Sequence, residues 1–190
     1  MAVRLFVAVE PPPHAVQHLD RALHDAGLRE RRGELRWVPA AQWHLTLAFL
    51  GEVAEGRLDD LSARLARAAA RHPPLPARIE GAGTFGPRTR ARVLWAGVDG
   101  DKALTRLAES VGAAARRVGV DLRPARFRAH LTLARARAPG DLTDCVEALA
   151  GYRGPDWTIE EIGLVRSVLG AGPNGRPAHS SVQRWPLTGG

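Results

Sequence analysis

Two histidines and two threonines recur in one pattern. His44-Leu-Thr-Leu-Ala48 is repeated as His130-Leu-Thr-Leu-Ala134, the copies lying nearly half of the 190-residue chain apart. On a β-strand, where side chains alternate with period two, His44 and Thr46 share one face while Leu45, Leu47 and Phe49 take the other. His130 and Thr132 share a face in the same way, opposite Leu131 and Leu133. Each copy therefore presents an imidazole beside a hydroxyl and sends its leucines into a core. One His-x-Thr-x says little. Two copies say more, because packing alone would keep the leucines and has no need of the histidine or the threonine.

Such a set suits cleavage of a phosphodiester. In-line attack on phosphorus needs one group to take a proton from water and another to protonate the departing oxygen on the far side. Imidazole titrates near neutrality, so two of them can hold opposite protonation states. Threonine hydroxyls can donate to non-bridging oxygens as charge builds there. The scheme requires no metal and no cofactor. Because the two motifs are near-equivalent, their residues alone leave open which histidine is the acid and which the base.

The elements that must position these residues repeat as well. A β-rich run, Arg4–Val9, leads into a helical stretch from about Pro13 to Ala26, with Val16, Leu19 and Leu23 on one face. Leu35–Val38 and the first motif follow. In the second half, Arg92–Val98 is the strand. Asp101 is the expected N-cap of a helix to about Val118 carrying Leu104, Leu107, Val111 and Ala115. Arg126–Arg128 and the second motif follow. Arg4 precedes its histidine by 40 residues and Arg92 by 38.

After each motif comes another helix, near 56–71 and 142–150, and then a strand, Ala77–Glu80 and Thr158–Ile162. Leu164–Leu169 and Ser181–Trp185 form an expected hairpin around a mobile Gly/Pro-rich loop, Gly170–Pro177, with Gly86–Arg90 as the matching turn of the first half. These spacings predict an internal duplication. The expected fold is α+β: one catalytic domain, 1–190, of two pseudo-two-fold lobes built on repeats 1–87 and 88–190. Mainly antiparallel sheets carry helices on the outside and enclose a central cleft.

Composition bounds the partners. With 45% hydrophobic and 25% charged residues the chain reads as globular and long enough to bury a core. No apolar run approaches a membrane span, and the N-terminal run is broken by Arg4 and the prolines 11–13, so a cytoplasmic protein is expected. The formal charge is +7, and Lys102 is the only lysine among 27 basic residues. Arginine's planar fork suits phosphate, so the charge permits RNA, although a GC-rich genome would give the same bias.

Other candidates read blandly. Cys145 stands alone and can form neither an internal disulfide nor a cysteine zinc site. His14 and His18 are one helical turn apart but have no third ligand. His72 sits where a cation would favour a helix end. The five tryptophans are expected in the core, and Gly81-Ala-Gly83 lacks the pattern of a nucleotide-binding loop.

The pair His44–Leu47 and His130–Leu133 resembles the signature motifs of the two-histidine phosphoesterases. Trp43–Gly51 and Phe127–Arg135 are similar to the branch of RNA 2′,3′-cyclic phosphodiesterases, whose older name is 2′-5′ RNA ligase. Arg4–Val9 and Gln183–Leu187 also resemble that branch, and the likeness spans almost the whole chain. The resemblance implies a bilobal fold and metal-independent hydrolysis of a terminal 2′,3′-cyclic phosphate on RNA to a 2′-phosphate. A weaker, reversible 2′-5′ ligation is also implied. His44 would be the proton donor and His130 the acceptor, with Thr46, Thr132 and Arg135 on the phosphate. Arg135 matches a basic residue after the second motif. Strict alternation would turn it away from His130, so the strand must end or bulge there. Ala129 departs from the proline frequent before the second histidine, and an aromatic residue is frequent near His179.

A monomer without membrane contact is expected, acting on RNA ends. Two alternatives carry the same motifs: a 2′-5′ oligonucleotide or small cyclic-nucleotide phosphodiesterase, and an RNA-end-binding module without turnover.

Overall fold

The computed structural model describes residues 1–30, 35–122, 126–172, 175 and 177–190. Among the described residues nine strands are interspersed with four helices: β1 (Ala2–Val9), α1 (Pro13–Asp25), β2 (Leu35–Trp37), β3 (Leu45–Ala54), α2 (Leu58–Ala70), β4 (Leu75–Thr84), β5 (Ala91–Asp99), α3 (Asp101–Arg116), β6 (His130–Gly140), α4 (Thr143–Ala148), β7 (Arg153–Ile159), β8 (Glu161–Val168) and β9 (Ala178–Pro186). The predicted order of strands and helices is present. The run Thr158–Ile162 is divided, its first part ending β7 and its last part opening β8.

Each longer helix owes its place to one apolar stripe. Proline at the first position of α1 starts it without losing a hydrogen bond, and Ala15, Leu19 and Leu23 are buried at i, i+4 spacing. On α3 the buried stripe is Leu104, Leu107, Ala108, Val111 and Ala115. Gly100, rather than Asp101, is the residue preceding its first turn, and Asp101 is the first helical residue.

All strand pairs are antiparallel and make one sheet in the order β7-β4-β5-β6-β3-β1-β8-β9, with β2 added on β6. The order is symmetric about its middle. β6 and β3 correspond, as do β5 and β1, β4 and β8, and β7 and β9. The chain crosses between the halves: β4 bonds β5, and β8 bonds β1. The predicted hairpin is β8 with β9, paired from Glu161↔Pro186 to Val168↔Ala178. In its loop, positions 173, 174 and 176 lie outside the described residues. The two half-sheets meet at one pair, Leu45↔Leu131, both fully buried. Stepping one residue outward along the antiparallel strands reaches His44 and Thr132 on one side, Thr46 and His130 on the other.

Candidate active site

The ladders on either side of this junction carry the same irregularity. Against β1, Thr46 pairs with Ala8 but Ala48 pairs with Val7, so Leu47 is an extra residue on β3. Against β5, Thr132 pairs with Trp95 but Ala134 pairs with Leu94, so Leu133 is an extra residue on β6. A bulge of one residue reverses the alternation beyond it. On β5 the residues opposite His130, Thr132 and Arg135 are Gly97, Trp95 and Val93, two apart each time and hence on one face. Arg135 therefore returns to the face of His130 and Thr132, through the bulge that its sequence position required.

The same shift corrects the expectation for Phe49. It does not join Leu45 and Leu47 in the core. It pairs with Phe6 on the face of Thr46, and 69% of its surface is exposed. Leu50 takes the buried place instead. All five predicted site residues, His44, Thr46, His130, Thr132 and Arg135, thus lie on the open face around the junction.

The two imidazoles are held identically. Nδ1–H of His44 donates to the carbonyl oxygen of Gln42 at 2.8 Å. Nδ1–H of His130 donates to that of Arg128 at 2.7 Å. A carbonyl can only accept, so each bond selects the tautomer that leaves Nε2 as the free nitrogen. Burial lowers the pKa of both rings below the ordinary 6.5, against the raising effect of these carbonyls. Their charged neighbours then differ. His44 is lowered by His179 and His130 and raised by Glu10, whereas His130 is lowered by Arg128 and Arg135.

Aromatic rings wall the site, and sequence reasoning missed them. Phe6 stacks on His44 at 4.8 Å between ring centres, and His179 meets His44 edge-on at 5.4 Å. Phe85 meets His130 edge-on at 4.9 Å, with Trp95 at 6.2 Å. The Arg128 guanidinium lies 5.2 Å from the centre of the Trp95 ring, as a cation–π pair. Trp95 lies across Gly83, its pair on β4, where a Cβ would come within 2.4 Å of the indole. That explains the glycine: Gly83 makes room for a ring. Of the five tryptophans, Trp43, Trp157 and Trp185 are buried as expected, while Trp37 and Trp95 are half-buried. The signal for Trp95 was its place on β5, two residues before Gly97.

The remaining candidates stay outside the site. His18 Nδ1 bonds the Tyr152 hydroxyl at 3.0 Å, and burial raises that phenol to about 12. His72 bonds Ser110 at 2.9 Å, and burial together with Arg71 and Arg106 favours its neutral form over the expected cation. Cys145 is buried and forms no disulfide. Among the described residues, no three His, Cys, Asp or Glu side chains are grouped to hold a metal ion, and no helix is long and apolar enough to cross a membrane.

A duplicated sheet that brings two Nδ1-anchored histidines and two threonines to one open face defines a two-histidine phosphoesterase. The chain belongs to the 2′-5′ RNA ligase superfamily, whose model matches residues 11–171. It is 36% identical over 98% of its length to the RNA 2′,3′-cyclic phosphodiesterase of Thermus thermophilus, spanning 91% of that protein. It is 32% identical over 97% of its length to the RNA 2′,3′-cyclic phosphodiesterase of Geobacillus stearothermophilus, but spans 57% of that longer protein. The crystal structure of E. coli LigT in apo form superposes with a TM-score of 0.76 at 29% identity, covering 98% of each chain.

Proposed function

We propose that this protein hydrolyses the 2′,3′-cyclic phosphate at the end of an RNA strand to a 2′-phosphate. The observation that carries the reading is the matched pair of imidazoles. Both are anchored through Nδ1 and flank one junction with a threonine beside each.

His130 is the base. The positive charges of Arg128 and Arg135 favour its neutral form, whose Nε2 lone pair takes a proton from water as the oxygen attacks phosphorus. His44 is the acid. Burial and His179 lower its pKa while Glu10, the carboxylate beside it, acts in favour of the protonated form, and Nε2–H passes its proton to O3′ as the P–O3′ bond breaks. The ring opens to a 2′-phosphomonoester and a free 3′-hydroxyl, with the water proton left on His130. Thr46 and Thr132 donate to the non-bridging oxygens, and Arg135 neutralises the charge gathering there. The same steps with the 5′-hydroxyl of a second strand in place of water form a P–O5′ bond as P–O3′ breaks, leaving a 2′-5′ linkage and a free 3′-hydroxyl, which accounts for weak, reversible 2′-5′ ligation. Both motifs come from one chain, so the cleft is complete in a monomer.

The test is incubation with an oligoribonucleotide ending in a 2′,3′-cyclic phosphate under excess chelator. A product that gains one water and resists a 3′-specific phosphatase is expected. A 3′-phosphate product, or turnover only after metal is restored, would overturn the reading. Hydrolysis confined to 2′-5′ oligonucleotides or small cyclic nucleotides would move the assignment within the superfamily.

A further inference from the structure

Beyond Thr132 the open face of β6 turns basic. Past the Leu133 bulge, Arg135 pairs with Val93 on one side and with Arg36 of β2 on the other. Residues directly opposite in a sheet point to the same side, so Arg36 and Arg135 share a face. Their neighbours confirm this: Leu35, paired with Ala136, is buried, and Ala134, paired with Trp37, is buried. Arg137 follows Arg135 two residues on, and all three arginines are exposed.

Like charges set opposite each other destabilise a strand pair unless something anionic lies between them. Some arginines elsewhere in the molecule are balanced by carboxylates. Arg184 bridges Glu10 and Glu161, Arg64 pairs with Asp60, and Arg78 pairs with Asp156. Among the described residues no carboxylate lies within ion-pair distance of Arg36, Arg135 or Arg137.

The equivalent place in the other half-sheet shows that this is no by-product of duplication. There the counterpart of Arg135 is Phe49. The strand repeat along β6 is about 6.6–6.8 Å for two residues, of the same order as the spacing of successive phosphates in an extended nucleic acid. Guanidinium forks at that repeat suit phosphate oxygens.

We propose that Arg36, Arg135 and Arg137 form a track for the upstream phosphates of a single-stranded RNA whose cyclic end lies between His44 and His130. The inference rests on the activity proposed above and narrows its substrate to oligonucleotides over cyclic mononucleotides. Arg36 and Arg137 stand off the reacting phosphate, so their loss acts on the strand and not on the chemistry.

The test compares the wild type with the Arg36→Ala/Arg137→Ala double variant on two substrates: a ribo-oligomer ending in a 2′,3′-cyclic phosphate, and 2′,3′-cyclic AMP. For the oligomer kcat/KM is expected to fall about tenfold or more, the loss of two charge-assisted contacts. For cyclic AMP it stays within about twofold, and Arg36→Lys/Arg137→Lys recovers part of the oligomer rate. Equal losses on both substrates, or none on either, would overturn the track.

Binding of a fluorescent RNA with a 3′-hydroxyl end, followed by anisotropy against salt, separates this from the parent reading. The slope of log K against log salt is expected to be shallower by about 1.4 in the double variant, two single-strand phosphates' worth. An unchanged slope overturns the track even if the wild type hydrolyses both substrates. A shallower slope without any hydrolysis keeps the track and overturns the activity.

Discussion

The two half-sheets share a backbone plan and differ in what they place around their histidines. Register makes the comparison residue by residue. Val9 opposite Leu45 corresponds to Ala96 opposite Leu131. One step on, Glu10 comes level with His44 where Gly97 pairs with His130. Past the bulge, Phe49 stands where the other half has Arg135. One half thus gives its histidine an acid and an aromatic surface, and holds its outer arginine, Arg184, between Glu10 and Glu161 at 2.7 and 2.6 Å. The other gives its histidine two arginines, Arg128 and Arg135. Duplication supplies matched geometry. Divergence at a few cross-strand neighbours gives the two histidines different charged surroundings: burial lowers both, but only His44 has a carboxylate, Glu10, acting in the other direction.

The largest effect should come from the elements the halves share. His44→Ala and His130→Ala should each lower kcat by about 10²–10⁴-fold. The double variant should be little worse than either single one, because the pair acts as a unit. Multiplying losses in single-turnover assays would instead mean that the two imidazoles act independently. Thr46→Ala and Thr132→Ala should each cost up to about 10²–10³-fold in kcat, with serine restoring most of it. A serine variant as slow as the alanine one would assign the threonines to packing.

The unequal pair comes next. Arg135→Ala should reduce kcat/KM by about tenfold or more, as loss of a charged hydrogen bond does. Phe49→Ala should raise KM for RNA with kcat nearly unchanged, since an exposed ring can stack on a base but carries no charge. Equal kinetic signatures would dissolve the distinction between the halves.

The smallest effects are on pH. With His130 as the proposed base and His44 as the proposed acid, activity needs His130 neutral, so the acid limb of kcat/KM follows His130. It needs His44 protonated, so the alkaline limb follows His44. Both rings sit below 6.5, so the bell should lie on the acid side of that expected for two unperturbed imidazoles. Removing a positive charge raises a histidine pKa, so Arg135→Ala should move the acid limb to higher pH. Removing a negative one lowers it, so Glu10→Gln should move the alkaline limb to lower pH. Movement of the alkaline limb by Arg135→Ala and of the acid limb by Glu10→Gln would instead exchange the roles of His44 and His130.

Much of this was legible in the chain. Period-two alternation placed His44 with Thr46 and His130 with Thr132, and the repeat of whole strand–helix units pointed to the duplicated sheet. The failure at Phe49 has a definite cause. Alternation is a local rule, and a bulge breaks it through hydrogen bonds made to another strand, which local periodicity does not register. Arg135 showed the need for a bulge only because its resemblance to a known residue demanded the other face.

By itself, then, the sequence determined which residue types stand beside each other within a strand, since that depends on chain spacing alone. Only the tertiary structure decided what stands beside them across strands. It brought Phe6, His179, Phe85 and Trp95 to the two imidazoles from four segments far apart in the chain. It set Glu10 against one histidine and Arg128 and Arg135 against the other, and it exchanged β4 and β8 between the halves. These neighbours arise from long-range pairing and from where each ladder slips by one residue. The physical reason is that pairing register belongs to two strands at once, whereas alternation belongs to one.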